Sequence, residues 1–319
     1  MFKQLLNTLR GTPPSASGLN AASNAPASPA DPISAYDADG KEIQIERNVW
    51  VNQVLPHALQ QAWDHPDALY QHILTALNDQ LAAAVDAASV RLVAIDPIPA
   101  RSCTARALVL LQIGRLDEAE QVLRDGIATL GELGVLYTNL AKVQAEREDM
   151  AAAEATLLKA IELDPNFEHS LGWWCAIQRE RGGAAAYVQA LEQASRIAGS
   201  WRAQIWLGLD LLRRGDVEAA MGTYRALLAA GSYTSDSLIG LSGDLGRTGN
   251  VARIPELLAG AYQLEQHNPQ VGLNLLKAYA ELKQRQEGEA LLARMRTLPS
   301  VELTPYLEDY ADKFRAMPG

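Results

Sequence analysis

From about residue 48 onward, apolar residues recur at intervals of three and four, which is the spacing of one face of an α-helix. Short turn signals interrupt this pattern at almost constant intervals of 33 or 34 residues. The turn positions are Gly114, Glu148, Gly182, Gly215, Gly249 and Lys283. A regular period of this length predicts that the chain is built from repeated pairs of helices.

Residue size is also fixed at certain positions within each repeat. The residues nine positions after the turn are Leu123, Leu157, Leu191, Tyr224, Leu258 and Leu292, all apolar. The residues five positions after it are Ala119, Ala153, Tyr187, Ala220, Ile254 and Gly288, four of them small. Large and small residues at fixed offsets let two antiparallel helices interlock. Stacking of neighbouring pairs then buries the apolar face that a single pair leaves open.

The repeat is clearest in residues 134–167, GVLYTNLAKVQAEREDMAAAEATLLKAIELDPNF. The residues that match a family signature there are Tyr137, Leu140, Ala141, Ala153, Leu157, Ala160 and Pro165. On these residues the chain resembles the tetratricopeptide repeat (TPR) family, over roughly 100–302 in six units, with a diverged seventh unit expected at 66–99. The resemblance implies an all-α fold, a right-handed α-solenoid of TPR helix-turn-helix pairs with about six to seven repeats. A related class of helical repeat is the structural alternative.

The sequence outside the repeats predicts further segments. The predicted segments are a short amphipathic N-terminal peptide at 1–10, a flexible Pro/Ser/Ala-rich linker at 11–36, an N-terminal arm and diverged first repeat at 37–99, the TPR solenoid at 100–302 and a C-terminal capping helix at 303–319. Ile43 and Ile45 alternate with polar residues, which indicates a short strand or extended arm. The peptide at 1–10 could dock on a partner, on a membrane surface or in the protein's own groove, or be a frayed end.

Composition and motifs exclude several function classes. The formal net charge is −10, so the basic footprint of a nucleic-acid-binding protein is missing. Two cysteines, Cys103 and Cys175, are too few for a disulfide framework or a cysteine-based zinc site. The five histidines have no metal-ligand spacing, and no nucleophile elbow or phosphate loop occurs, so we expect no enzyme, no metal and no cofactor. No stretch reaches the ~18 uninterrupted apolar residues of a membrane span, and a cytoplasmic location is expected by default.

In proteins that this chain resembles, the first helix of each pair lines the concave groove. The predicted peptide- or protein-binding residues are Asn139, Lys142, His169, Trp173, Arg202, Trp206, Asn274 and Lys277. Asn139 and Lys142 occupy the same positions in their repeat as Asn274 and Lys277 do in theirs. An amide side chain can form hydrogen bonds with a peptide backbone, and an ammonium group can pair with a carboxylate. The two tryptophans share one column, and the sequence leaves groove and core equally open for them.

Three glycines in the first helix of the fifth unit, Gly240, Gly243 and Gly246, are predicted to face the groove. They could let a partner backbone approach closely, form a soft joint, or mark a poorly packed repeat. The carboxylate clamp of some TPR domains is not predicted, because Thr104 and Leu108 replace its first Lys and Asn.

The leading hypothesis is an adaptor or co-chaperone-like scaffold that binds a protein or peptide ligand in its groove. The alternatives are a structural subunit of a multiprotein assembly and a non-catalytic accessory subunit of an enzyme. The sequence predicts no oligomeric state.

Overall fold

The computed structural model describes residues 32–36 and 41–317. The amphipathic peptide predicted at 1–10 and residues 11–31 of the predicted linker lie outside the described residues. The chain divides into two compact units, the first ending at Trp174 and the second beginning at Cys175.

The first unit opens with a short antiparallel hairpin of β1 (Ile33–Tyr36) and β2 (Glu42–Ile45). Ile33 pairs with Ile45, and Tyr36 with Glu42. The strand predicted around residues 43–45 is present as β2. Its partner β1 occupies the last four residues of the predicted linker. That linker boundary is therefore wrong, because Ile33 is buried and its backbone pairs with β2.

Helices fill the rest of the first unit. After the helical segments Arg47–Val49 and Trp50–Val54, the helices are α1 (Leu55–Gln61), α2 (Pro66–Asn78), α3 (Asp86–Ile95, after a 3-10 turn at Ala82–Val85), α4 (Pro99–Gln112), α5 (Leu116–Leu130), α6 (Gly134–Glu146), α7 (Met150–Leu163) and the start of α8 (Glu168–Ser195). Antiparallel pairs form between α4 and α5 and between α6 and α7. The first helices α2, α4 and α6 also pack in series, so each pair completes the core of its neighbour.

The second unit contains the same kind of pairs. Its helices are the rest of α8, then α9 (Arg202–Arg213), α10 (Val217–Ala229), α11 (Ser235–Arg247), α12 (Ile254–Ala261, after a 3-10 turn at Val251–Arg253), α13 (Pro269–Glu281), α14 (Arg285–Met295) and α15 (Thr304–Arg315, after a 3-10 turn at Val301–Leu303). Large side chains of one helix pack against small residues of its neighbour, as the fixed sizes at repeat positions predict. A Cβ on Gly208 would overlap the Tyr224 ring, and one on Gly288 would overlap the Phe314 ring of α15.

Left-handed turns set the repeat length. Gly114, Glu148, Gly215, Gly249 and Lys283 have φ values between +57° and +84°, the conformation that commonly ends a helix. At the third turn the left-handed residue is Gly183, one position later than predicted, and it divides α8 into two helical parts.

The diverged first unit carries the same turn. Gln80 lies 34 residues before Gly114 and has φ +60°. The prediction of an all-α repeat fold is therefore confirmed for the described residues, apart from the hairpin.

Candidate ligand-binding site

A cavity of about 410 Å³ lies in the second unit between α11 and α13, the first helices of successive pairs. It is lined by Ser242, Gly243, Gly246, Arg247, Val251, Ile254, Asn274, Lys277, Ala278 and Glu281. Four of the predicted site residues thus come together here, two glycines from α11 and the Asn/Lys pair from α13. Local sequence fixes where both helices begin. Thr234 and Ser237 form a capping box at the start of α11, and Asn268 caps α13 ahead of Pro269.

The glycines leave open space on α11. A Cβ on Gly246 would meet nothing within 4 Å, and one on Gly243 would lie 3.4 Å from Arg247 Nη1. Gly240 is different, since its Cβ would lie 3.3 Å from Ile205 Cγ2 of α9 and it does not line the cavity. Gly240 therefore lies close to a neighbouring helix and outside the cavity, and its place in a groove stays a prediction.

Asn274 and Lys277 have different roles in the cavity. Asn274 Nδ2 donates to Ser242 Oγ at 2.9 Å and its Oδ1 accepts from Gln270 Nε2 at 2.9 Å, so this amide ties α13 to α11. Lys277 is exposed, and its Nζ is 3.9 Å from Glu281 Oε1. A solvent-exposed pair at that distance contributes little stability, so Lys277 can turn towards a ligand at low cost.

A buried carboxyl group lies beside the cavity. Asp244 is 2% exposed, its Oδ1 accepts from Arg247 Nη2, and its Oδ2 lies 3.5 Å from the Tyr224 hydroxyl, which donates to it. Burial raises the pKa of Asp244 to about 6, although the neighbouring Arg247 opposes the shift. Sequence reasoning missed Asp244. The equivalent position of two earlier repeats holds valine, at 109 and 143, and this was the available indication that the position is buried.

The other Asn/Lys pair, in the first unit, has a different environment. Asn139 is buried, donates to Val135 O at 2.8 Å and accepts from Lys142 Nζ at 3.3 Å. Lys142 is partly buried, and desolvation lowers the pKa of its ammonium group to about 8. The two Asn/Lys pairs therefore differ, because the ammonium group of Lys277 is exposed and that of Lys142 is partly desolvated.

The remaining predicted groove residues are not gathered around the cavity. Trp173 is 1% exposed, so the structure assigns it to the core rather than to a groove. Trp206 is partly buried and packs on the core of the second unit. The Arg202 guanidinium lies 4.8 Å from the Trp201 ring centroid, and the His169 ring packs edge-on against Phe167 with centroids 5.4 Å apart. Burial of the first tryptophan reflects its large apolar area.

Within residues 32–36 and 41–317, no group of three His, Cys, Asp or Glu side chains could hold a metal ion. No helix of the same part of the chain is long and apolar enough to cross a membrane. Cys103 and Cys175 are buried free thiols, and desolvation raises the pKa of Cys175 to about 12.

Comparison with known proteins finds one family match. Residues 135–167 match the family model described as tetratricopeptide repeat. A search of curated proteins finds no significant match to the sequence.

Several solved structures are similar to the chain. The Naa15/Naa10 complex bound to HypK-THB is 14% identical, with a TM-score of 0.35, over 77% of this chain and 39% of that chain. A tetratricopeptide repeat protein from Parabacteroides merdae is 10% identical, with a TM-score of 0.32, over 80% and 99%. The APC/C hetero-tetramer Cut9-Hcn1 is 16% identical, with a TM-score of 0.35, over 83% and 56%. The chain thus spans less than two thirds of the matched chains in the first and third of these.

The matched segment coincides with the pair α6 and α7. Before and after it along the chain lie further helix pairs, in which a left-handed turn of the same spacing joins the two helices. The chain therefore contains a tetratricopeptide repeat at residues 135–167.

Proposed function

We propose that the protein is a non-catalytic, cytoplasmic adaptor, co-chaperone-like in its role, that binds a peptide segment or helix of another protein. The cavity between α11 and α13 is the observation that carries the proposal. Its volume of about 410 Å³ falls in the range of ligand pockets, roughly 300–1,000 Å³. It lies between first helices, the elements that line the groove in proteins that this chain resembles.

The chemistry of the lining fits a polypeptide. Gly246 exposes helix backbone with nothing within 4 Å of its Cβ position, so a ligand backbone can approach α11 closely there. At Gly243 the Arg247 side chain lies 3.4 Å from the Cβ position. Ile254 and Val251 supply apolar contact, and Lys277 lines the cavity with an exposed positive charge. A bound segment with an apolar side chain and a nearby carboxylate would use both kinds of surface.

The test fills the cavity without weakening the fold. Gly246→Gln places a long side chain over the cavity, where its Cβ meets nothing within 4 Å. Gly222→Gln on α10 is the matched control, because that glycine is also helical, also free of Cβ contacts, and does not line the cavity. Both changes replace a helical glycine, so both are expected to raise stability by about 0.5–1 kcal/mol.

The readout is capture of proteins from native lysate by each full-length variant. The proposal expects the wild type and Gly222→Gln to retain the same specific protein and Gly246→Gln to lose it. Equal capture by all three would reject the cavity as the binding site. A structural subunit of an assembly, or an accessory subunit of an enzyme, would behave in that way, since broad surfaces would then hold the partner.

A further inference from the structure

The outward surface of α3 and its flanks is apolar throughout. The exposed residues between positions 83 and 98 are Ala83, Ala84, Ala87, Val90, Val93, Ala94, Pro97 and Ile98, and we call this set the α3 outer face. Val90 is 54% exposed, and Val93 and Ile98 are each 50% exposed. The charged residues of α3 are used elsewhere, since Asp86 pairs with Arg106 and Arg91 pairs with Asp64.

The equivalent helix of the next pair, α5, has an ordinary polar outer surface. Its exposed residues are Asp117, Glu118, Gln121, Arg124, Asp125, Ala128 and Thr129. The two helices occupy the same place in the repeat, 34 residues apart along the chain. The apolar surface is therefore a property of α3 and not of the repeat, and a contiguous exposed apolar patch normally marks an interaction site.

The first described residues are linked to the end of α2, the helix that precedes α3. Arg47 donates a hydrogen bond to Asp79 O at the end of α2, four residues before Ala83. Ile45 lies two residues before Arg47 and pairs with Ile33, the first residue of β1. The described chain thus begins on a hairpin that is joined through Arg47 to Asp79, four residues before the α3 outer face begins.

Residues 2–9 carry apolar side chains that suit the α3 outer face, and the chain that follows them is long enough to reach it. Residues 2–9 carry Phe2, Leu5, Leu6 and Leu9 on one helical face and no acidic residue. An eight-residue helix is about 12 Å long, against about 15 Å for the ten residues of α3. The intervening residues 10–32 span roughly 26 Å on average when unstructured, so the segment can reach the whole face.

We propose that residues 2–9 dock on the α3 outer face of the same chain through Phe2, Leu5, Leu6 and Leu9. A short tether gives the segment an effective concentration on the order of millimolar, so even a weak contact is occupied most of the time. This inference does not depend on the proposed cavity, since α3 lies in the other unit and none of its residues line that cavity.

The test uses the full chain with a nitroxide label on Lys3→Cys, a position on the polar side of the segment. The native thiols are buried, so the label attaches selectively to the new cysteine. We expect the label to broaden the NMR methyl signals of Val90 and Val93 in a way that does not depend on protein concentration. Leu5→Asp with Leu9→Asp should abolish the broadening, whereas Gln4→Asp with Thr8→Asp adds the same charge on the polar side and should preserve it.

A second pair of variants tests the other side of the contact. Ala94→Glu places a charge on the α3 outer face, and Ala128→Glu places the same charge at the equivalent exposed position of α5. Only Ala94→Glu should remove the broadening. The proposal is overturned if the methyl signals never broaden, or if they broaden equally in both variants. It is also overturned if broadening appears only between labelled and unlabelled copies, because a second copy of the chain would then cover the face.

Discussion

Replacing glycine by alanine at two positions seven residues apart should change stability in opposite directions. Gly215 has φ +84° at the turn between α9 and α10, while Gly222 lies within the helix α10. A Cβ at either position would meet nothing within 4 Å, so neither substitution creates a clash. The backbone conformation alone therefore decides the sign of each effect.

The magnitudes follow from the two conformations. A left-handed conformation costs an L-residue roughly 1–2 kcal/mol, and alanine recovers about 0.4–1 kcal/mol by restricting the unfolded chain, so Gly215→Ala should destabilise by about 1 kcal/mol. Glu148 and Lys283 occupy the equivalent turns with φ +65° and +57°, which shows that the fold tolerates this cost. Gly222→Ala should stabilise by about 0.8–1 kcal/mol through helix propensity. The two variants should thus differ by about 2 kcal/mol.

Urea unfolding followed by far-UV circular dichroism measures this difference. Both residues belong to one helix pair, so local unfolding of that pair affects both variants alike. The urea midpoint should fall for Gly215→Ala and rise for Gly222→Ala, with unchanged dependence on denaturant. A shift of both midpoints in the same direction would refute the assignment of a left-handed turn at Gly215.

Three further changes test other features of the structure. Glu148→Gly should raise the free energy of unfolding by up to about 1 kcal/mol, because glycine removes the left-handed strain at φ +65°; a urea midpoint below wild type would contradict this. The folded-state pKa of Asp244, about 6, lies above its ordinary value of 3.8, so the folded protein binds the extra proton and stability falls as pH rises between these values. The stability of wild type relative to Asp244→Asn should fall by about 2 kcal/mol from pH 4 to pH 7, and a flat difference would refute it. The pKa of Lys142 is lowered to about 8 from 10.5, so the charged form is disfavoured by folding. Lys142→Met should be more stable than wild type at pH 7, with a gap that narrows as pH rises from 8 towards 10.5 in parallel chemical denaturations.

The candidate site was only partly predictable from the sequence. Gly243, Gly246 and Lys277 line the cavity, because a fixed register places first-helix positions on a common surface. Their part in ligand binding stays a prediction. Asn274 also lies there, but its amide is bonded to Ser242 instead of facing a ligand. A sequence column gives the direction of a side chain and does not reveal its hydrogen-bond partners.

Residues at equivalent positions of different repeats also differ in burial. Trp173 and Trp206 share a register position, yet the first is fully buried and the second only partly. Asn139 is buried and Lys142 is partly buried, whereas Lys277, at the position equivalent to Lys142, is exposed. Burial depends on the residues that neighbouring helices supply at the contact, and those residues differ between degenerate repeats.

The sequence by itself determined the helical class of the chain and the length of the repeat. Helical periodicity, alternating large and small columns and turn residues every 33 or 34 positions act locally, so they can be read along one chain. The tertiary structure alone decided that Gly240 packs on α9, that Asp244 is buried beside the cavity, and that the outer face of α3 is apolar and exposed. These features arise from pairs of helices in contact, where the volume and charge contributed by one helix set the environment of the other.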